Sequence, residues 1–279
     1  MRSVWRILAA AVACGAFPIN TIAEEKDQRP AAGIQDNSFL IEEAYNQEAG
    51  VIQHTSTLRR QRRDWFYTFT QEWPIGSQTH QFSYTLPYSR IRNNNNQLVH
   101  GPGDIEINYR YQAMMETATL PAFAPRLSMI LPTGNKDKGT GTGSAGIQVM
   151  LPFSKIVSDR VTLHANAAMT HLFDVDGFQP TSYMLGGSAI YAATRDFNLM
   201  LESLVEWEES INAMRELERE TTYTISPGFR YALNFPQLAE LQVVVGAALP
   251  IAFTRGKSTD YGAFFYLSFE HSIKKTNSK

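Results

Sequence analysis

The chain reads as an all-β protein: a single transmembrane antiparallel β-barrel of about twelve strands behind a short N-terminal periplasmic segment. Three observations carry this. From about Gly50 onward apolar and polar residues alternate with period two. Many alternating runs reach ~10 residues, the length a tilted strand needs to cross a bilayer, against about 5–6 in soluble domains. Long polar connections also take turns with shorter ones, as the two ends of such a barrel require.

The N-terminus comes first. Arg2 and Arg6 precede the uncharged stretch Ile7–Ala16, and Thr21-Ile22-Ala23 places small residues before Glu24-Glu25. This is the pattern of an export signal over residues 1–23, cleaved after Ala23; a buried N-terminal helix is the alternative. Ala11-Val12-Ala13-Cys14 loosely resembles a lipobox, so Cys14 is either lipidated or leaves with the signal. It is the chain's single cysteine, so a mature chain cut after Ala23 has none, which suits an oxidising periplasm.

Residues 24–49 form a periplasmic leader or plug-like segment. Glu24–Asn37 is polar and reads as flexible. Phe39–His54 carries Glu42, Glu43, Tyr45, Asn46 and Gln47. These either enter the lumen as a plug, or pack beneath the barrel as a cap that starts the first strand. The barrel itself is expected over residues 50–273, with a C-terminal tail over 274–279.

Ile105–Gln112 is the clearest strand. Its odd positions are apolar or aromatic and its even positions polar or charged, which gives one apolar face and one wet face. A helix would need apolar residues at i, i+3 and i+4, and here i+3 from an apolar residue is always polar. The alternation recurs with Trp65, Tyr67 and Phe69; with Phe82, Tyr84, Leu86 and Tyr88; with Leu127 and Met129; with Val149 and Leu151; with Leu199 and Leu201; with Phe229 and Tyr231; and with Val243 and Val245. Weaker stretches lie near Val51–Thr57 and Tyr183–Tyr191. Connections expected outside are Arg90–Gly103, Pro132–Ser144, Leu172–Thr181 and Glu208–Glu220, and Met114–Phe123 is long for a periplasmic turn. Tyr261–Phe269 looks like the terminal signal read by the outer-membrane insertion machinery, although ten residues follow it; an ordinary core strand is the alternative.

Composition narrows the function. A formal net charge of −2 disfavours a nucleic-acid binder, and one cysteine excludes a disulfide framework. Beyond the N-terminus no run of ~18 apolar residues offers a spanning helix. The glycine-rich loop Pro132–Gly143 lacks the Gly-Lys-Ser/Thr ending of a phosphate loop. His171 and Ser203 both fall on outward phases, but on strands two apart, and no nucleophile elbow or zinc triad accompanies them. No catalytic, cofactor-binding or metal-binding residue is assigned, and the chain is not read as an enzyme.

The expected lumen face carries Glu72, Glu106, Arg110, Arg126, His164, Glu202, Glu206, Glu208 and Arg230. Such charges either sort solutes by sign or form a structural network that fills the barrel. Glu202 and Arg230 lie on adjacent strands at similar depth and are candidates to pair. Arg59, Arg60, Arg62 and Arg63 cluster at the first external turn, where they meet either anionic lipopolysaccharide or solvent.

Three stretches resemble a known family: Ser38–His54; Gly101-Pro102-Gly103-Asp104 running into Asn108–Gln112; and Leu131-Pro132-Thr133-Gly134-Asn135 with its glycine-rich loop. They are similar to bacterial outer-membrane β-barrels of the phenol meta-pathway degradation-like family, a group associated with transport. The resemblance implies an outer-membrane barrel and passive movement of small solutes, aromatic or weakly apolar ones among them. It brings no catalytic residues. A structural or assembly barrel without transport is the alternative, and an outer-membrane lipid hydrolase is less favoured. The expected partners are outer-membrane lipid and lipopolysaccharide, the barrel-insertion machinery and a small-molecule solute, with no nucleic acid.

Overall fold

The computed structural model describes residues 33–273 except Gln35, Asn94, Asn95 and Ala213. The expected signal with Cys14, most of the leader and the tail over 274–279 lie outside the described residues.

Sixteen hydrogen-bonded segments join into twelve antiparallel barrel strands. They are β1 (Val51–Gln61), β2 (Asp64–Ile75), β3 (Ser77–Arg92), β4 (Leu98–Pro102 and Ile105–Tyr111), β5 (Ala122–Phe123 and Arg126–Leu131), β6 (Gly146–Ser158), β7 (Val161–Leu172), β8 (Thr181–Ala192), β9 (Phe197–Ile211), β10 (Leu217–Phe235), β11 (Leu241–Ala248 and Ile251–Thr254) and β12 (Asp260–Tyr261 and Ala263–Ser272). Each pairs with its sequence neighbours, and β12 closes on β1 from Val51↔Ser272 to Arg60↔Ala263. Closure leaves no free sheet edge, the condition for strands in hydrocarbon. The expected fold class is the observed one.

The alternation sorts side chains as the sequence indicates. Tyr109 is 41% exposed and its neighbour Arg110 only 4%. Leu127, Met129, Leu185, Leu199, Leu201, Val245 and Phe265 are all exposed on the outer wall. Aromatic residues gather at both ends of this band. Tyr67, Tyr88, Tyr183, Tyr223 and Phe253 lie toward one end, and Tyr109, Tyr111, Tyr191, Phe229 and Tyr231 toward the other. An apolar belt between two aromatic girdles is a wall built to face lipid.

Both termini of the barrel lie at one end. The opposite, far end carries the turn 62–63, the tips 93–97 and 212–216, and the loops 132–145, 173–180 and 255–259. Two expected loops turn out shorter. Arg90–Gly103 and Glu208–Glu220 are largely strand, because β3–β4 and β9–β10 run on as hairpins; β10 alone has 19 residues. Past the aromatic girdle both faces of such a hairpin meet solvent, so alternation fades while pairing continues.

Candidate functional site

The interior holds an irregular strap, residues 33–49, laid against the inner wall before the chain enters β1. Asp36, Ser38, Ile41, Glu43, Ala44, Asn46 and Gln47 are all buried. A segment without a backbone ladder must find other partners for its N–H and C=O groups, and the wall supplies them from inward side chains. On β9, Glu202 Oε1 accepts the amides of Phe39, Leu40 and Ile41 at 2.9, 2.8 and 3.2 Å. On β7, Asn166 accepts the Glu42 amide at 2.7 Å and donates to the Glu42 carbonyl at 2.9 Å. Ser154 on β6 accepts the Ala44 amide at 2.7 Å and bonds His164 Nδ1 at 2.7 Å. Gln112 accepts the Asn46 amide at 2.8 Å and donates to the Ala44 carbonyl at 2.8 Å. Gln81 on β3 accepts the Gln47 amide at 2.7 Å and donates to Glu72 at 2.6 Å.

Arginines hold the carbonyl side. Arg230 Nη1 donates to the carbonyls of Asp36 and Asn37 at 2.6 and 2.7 Å. Arg110 donates to Asn46 Oδ1 at 2.8 Å and to the Tyr45 carbonyl at 2.7 Å. Arg126 on β5 pairs with Glu42. The Asp36 carboxyl accepts from Gln53 at 2.7 Å, from Ser268 at 2.6 Å and from Tyr266.

Two apolar side chains key the strap into the wall. Phe39 sits 5.2 and 5.3 Å from the rings of Phe264 and Tyr266. The inward positions beside it are glycines: a Cβ on Gly246 would lie 2.4 Å from Phe39, and one on Gly228 3.0 Å from it. Gly186 does the same for Ile41, where a Cβ would lie 2.5 Å away.

Toward the far end the inner wall changes character. Thr57 bonds Thr68 at 2.6 Å, Thr70 bonds Thr85 at 3.0 Å, and Thr222 bonds Thr254 at 2.9 Å. These hydroxyls, with Glu106 and Glu206, are half-buried, whereas the wall side chains that anchor the strap are mostly buried.

Of the residues singled out from sequence, Glu72, Arg110, Arg126, His164, Glu202 and Arg230 on the wall and Glu42, Glu43, Tyr45, Asn46 and Gln47 on the strap come together here. Glu106 and Glu206 stand apart in the hydroxyl-lined half, and Glu208 is exposed at the rim. Glu202 and Arg230 do not pair. Glu202 sits opposite Ser226 and Arg230 opposite Asn198, and both side chains bond the strap instead. Arg59 turns inward, its guanidinium 5.1 Å from the Phe66 ring, so it leaves the external arginine cluster. His171 bonds Thr181 and Ser203 bonds Tyr223, so the two do not bond each other. Sequence reasoning missed Asp36, Gln53, Gln81, Gln112, Ser154 and Asn166. Their signal was an inner face rich in amides and hydroxyls, with glycines at three inward positions.

No protein-family model matches the chain, and no curated protein matches it. Solved structures do. The COG4313 outer membrane channel from Pseudomonas putida F1 matches 82% of this chain and 98% of its own, with TM-score 0.60 and 10% identity. The β domain of the Bordetella autotransporter BrkA matches 81% of this chain and 100% of its own, with TM-score 0.47 and 11% identity. The KdgM porin matches 80% and 99%, with TM-score 0.46 and 10% identity. The chain has the fold of an outer-membrane β-barrel. At 10% identity the similarity to the channel speaks for architecture alone, so the chemistry of the interior has to be read from the strap and the wall that holds it. That chemistry is hydrogen bonding. Among the described residues no cluster of three or more His, Cys, Asp or Glu is placed to hold a metal.

Proposed function

We propose that this protein sits in the bacterial outer membrane and lets small solutes move passively down their gradient, with the strap limiting access to the lumen. One observation carries the proposal: the strap crosses the interior on side-chain-to-backbone bonds, and the inner wall beyond it is half-buried and hydroxyl-lined. A segment held by separate side-chain bonds from most of the strands is removable without breaking the wall, since none of those bonds belongs to the barrel's own ladder. The aromatic or weakly apolar solute class follows from the family resemblance of Ser38–His54 and the two other stretches. No ATP-binding motif is present, so passage needs a concentration gradient.

Planar-bilayer recording of the refolded protein tests this. Deleting residues 33–49 should raise single-channel conductance several-fold over the full mature chain. If both forms are electrically silent and exclude small solutes from liposomes, the barrel is structural and the transport proposal fails.

A further inference from the structure

We propose that the far end of the wall over β1–β4 is a docking site for a phosphorylated glycolipid of the outer leaflet, with its phosphate held between Arg60 and Arg90. The proposal rests on the placement in the outer membrane argued above, with the far end outward. Strand register supplies the site. Arg60 lies opposite Trp65, Trp65 opposite Arg90, and Arg90 opposite His100. These four positions form one outward row across adjacent strands, because they share the phase of the exposed Tyr67 and Tyr88. Neighbouring strands lie about 4.8 Å apart, so the two arginine backbones stand about 10 Å apart with the Trp between them. The next outward row toward the middle of the wall is Leu58, Tyr67 and Tyr88, and the one beyond it holds Phe69 and Leu86. Each row is about 7 Å from the next. The cations therefore stand one row outside the aromatic girdle, at headgroup depth, directly above a surface that suits acyl chains.

The arginines are available. Arg60, Arg63, Arg90 and Arg92 are exposed, and among the described residues no salt bridge involves Arg60, Arg63 or Arg90. The Arg60 guanidinium lies 5.8 Å from the Trp65 ring, which holds it along the wall. The two nearby carboxylates are engaged: Asp64 accepts the Arg92 amide at 2.9 Å, and Asp260 accepts the Arg62 amide at 3.1 Å. Elsewhere at this end Lys136, Arg219 and Lys257 each have a carboxylate partner. Unpaired guanidinium groups at this depth match a phosphate, which they bind in a bidentate fork. A phosphate that reaches them from the outer leaflet belongs to a lipid whose chains cover the tyrosine and leucine rows.

Native mass spectrometry of the full-length protein folded in detergent micelles tests the site, with bisphosphorylated lipid A, its dephosphorylated form and phosphatidylglycerol as probes. The variant Arg60→Gln/Arg90→Gln is compared with Lys138→Gln/Arg255→Gln, which removes the same charge from far-end loops. The expected result is retention of the bisphosphorylated probe, at least tenfold weaker in the arginine variant and within twofold of wild type in the control. Equal loss in both variants would mean that net charge alone binds. Equal retention of the dephosphorylated probe would mean that apolar contact alone binds. Phosphatidylglycerol held as tightly as the bisphosphorylated glycolipid would overturn the choice of lipid. Heat-modifiable gel mobility, run on every sample, separates the two layers. A wild type that forms no heat-modifiable barrel fails the outer-membrane placement, whereas a folded barrel that retains no lipid fails only this site.

Discussion

Glu202 is the most informative single anchor, because one of its oxygens accepts three consecutive strap amides. Glu202→Leu removes that acceptor with little change in length. A buried amide left without a partner costs about 1–3 kcal/mol. Three of them give a range of about 3–9 kcal/mol, and relaxation of the strap toward remaining polar groups brings the expected loss to the lower half, about 3–5 kcal/mol. A local opening equilibrium changes tenfold per about 1.4 kcal/mol, so exchange protection at Phe39, Leu40 and Ile41 should fall by about two to three and a half orders of magnitude. Glu202→Gln keeps one oxygen at the same reach and should lose no more than about 1–2 kcal/mol. Hydrogen–deuterium exchange of the folded protein, read by mass spectrometry on peptides spanning 33–49 and on β1–β12 separately, resolves this. Loss confined to the strap, larger for Leu than for Gln, is the expected pattern. Unchanged protection at 39–41 in the Leu variant, or equal loss in both variants, would refute the anchoring role.

Gly246→Ala should displace Phe39, since the new Cβ would lie 2.4 Å from it. Protease access to the strap should rise, and Phe39→Ala in the same chain should restore resistance in part, whereas Gly187→Ala, whose Cβ would lie 3.3 Å from the nearest atom, should behave as wild type. Leu201→Arg should destabilise the barrel in lipid by about 2–4 kcal/mol, because Leu201 is exposed on the outer wall opposite Pro227, midway along β10 between Tyr223 and Tyr231, where a charge is poorly solvated; a loss that does not depend on bilayer thickness would contradict the outward phase. At the far end, the hydrogen bond from Lys136 holds the Asp176 carboxyl below the usual carboxylate range. The folded pKa is depressed, so the link between these two loops should persist above the ordinary carboxylate pKa and be lost as pH falls through the lowered one. NMR titration of Asp176 should show this, and Lys136→Gln should move its midpoint back toward the ordinary value.

The wall was legible because its two faces meet opposite environments. Tyr109 and Arg110 are adjacent in sequence and differ tenfold in exposure, and that contrast repeats along most strands as a period of two. The strap was not legible for the same reason. An irregular segment surrounded by side chains on every side has no period, so Asp36 looked like part of a soluble leader although it bonds β1 and β12. Gln112 was read only as a polar inward residue, and Gln81 and Asn166 were not singled out, because an amide facing water and an amide facing a backbone carbonyl look alike in a sequence. Glu202 and Arg230 were singled out for the correct face and the wrong partner. Strand alternation fixes which side of the wall a residue faces, while the pairing depends on register and on what occupies the space between. The Arg90–Gly103 and Glu208–Glu220 stretches misled in the opposite direction: their polar composition reflects solvent on both faces of a hairpin, not loss of pairing.

The central claim is that the strap in the lumen controls passage. Ser38 Oγ and Ser188 Oγ lie 2.6 Å apart, a geometry that a disulfide spans with little backbone movement. Single-channel recording of the mature Ser38→Cys/Ser188→Cys protein, in oxidant and then in reductant on the same membrane, addresses the claim most directly. The strap account predicts suppressed conductance in the oxidised form and recovery to the wild-type level on reduction. Equal conductance in both states, in a protein whose disulfide is verified by mass, would contradict it.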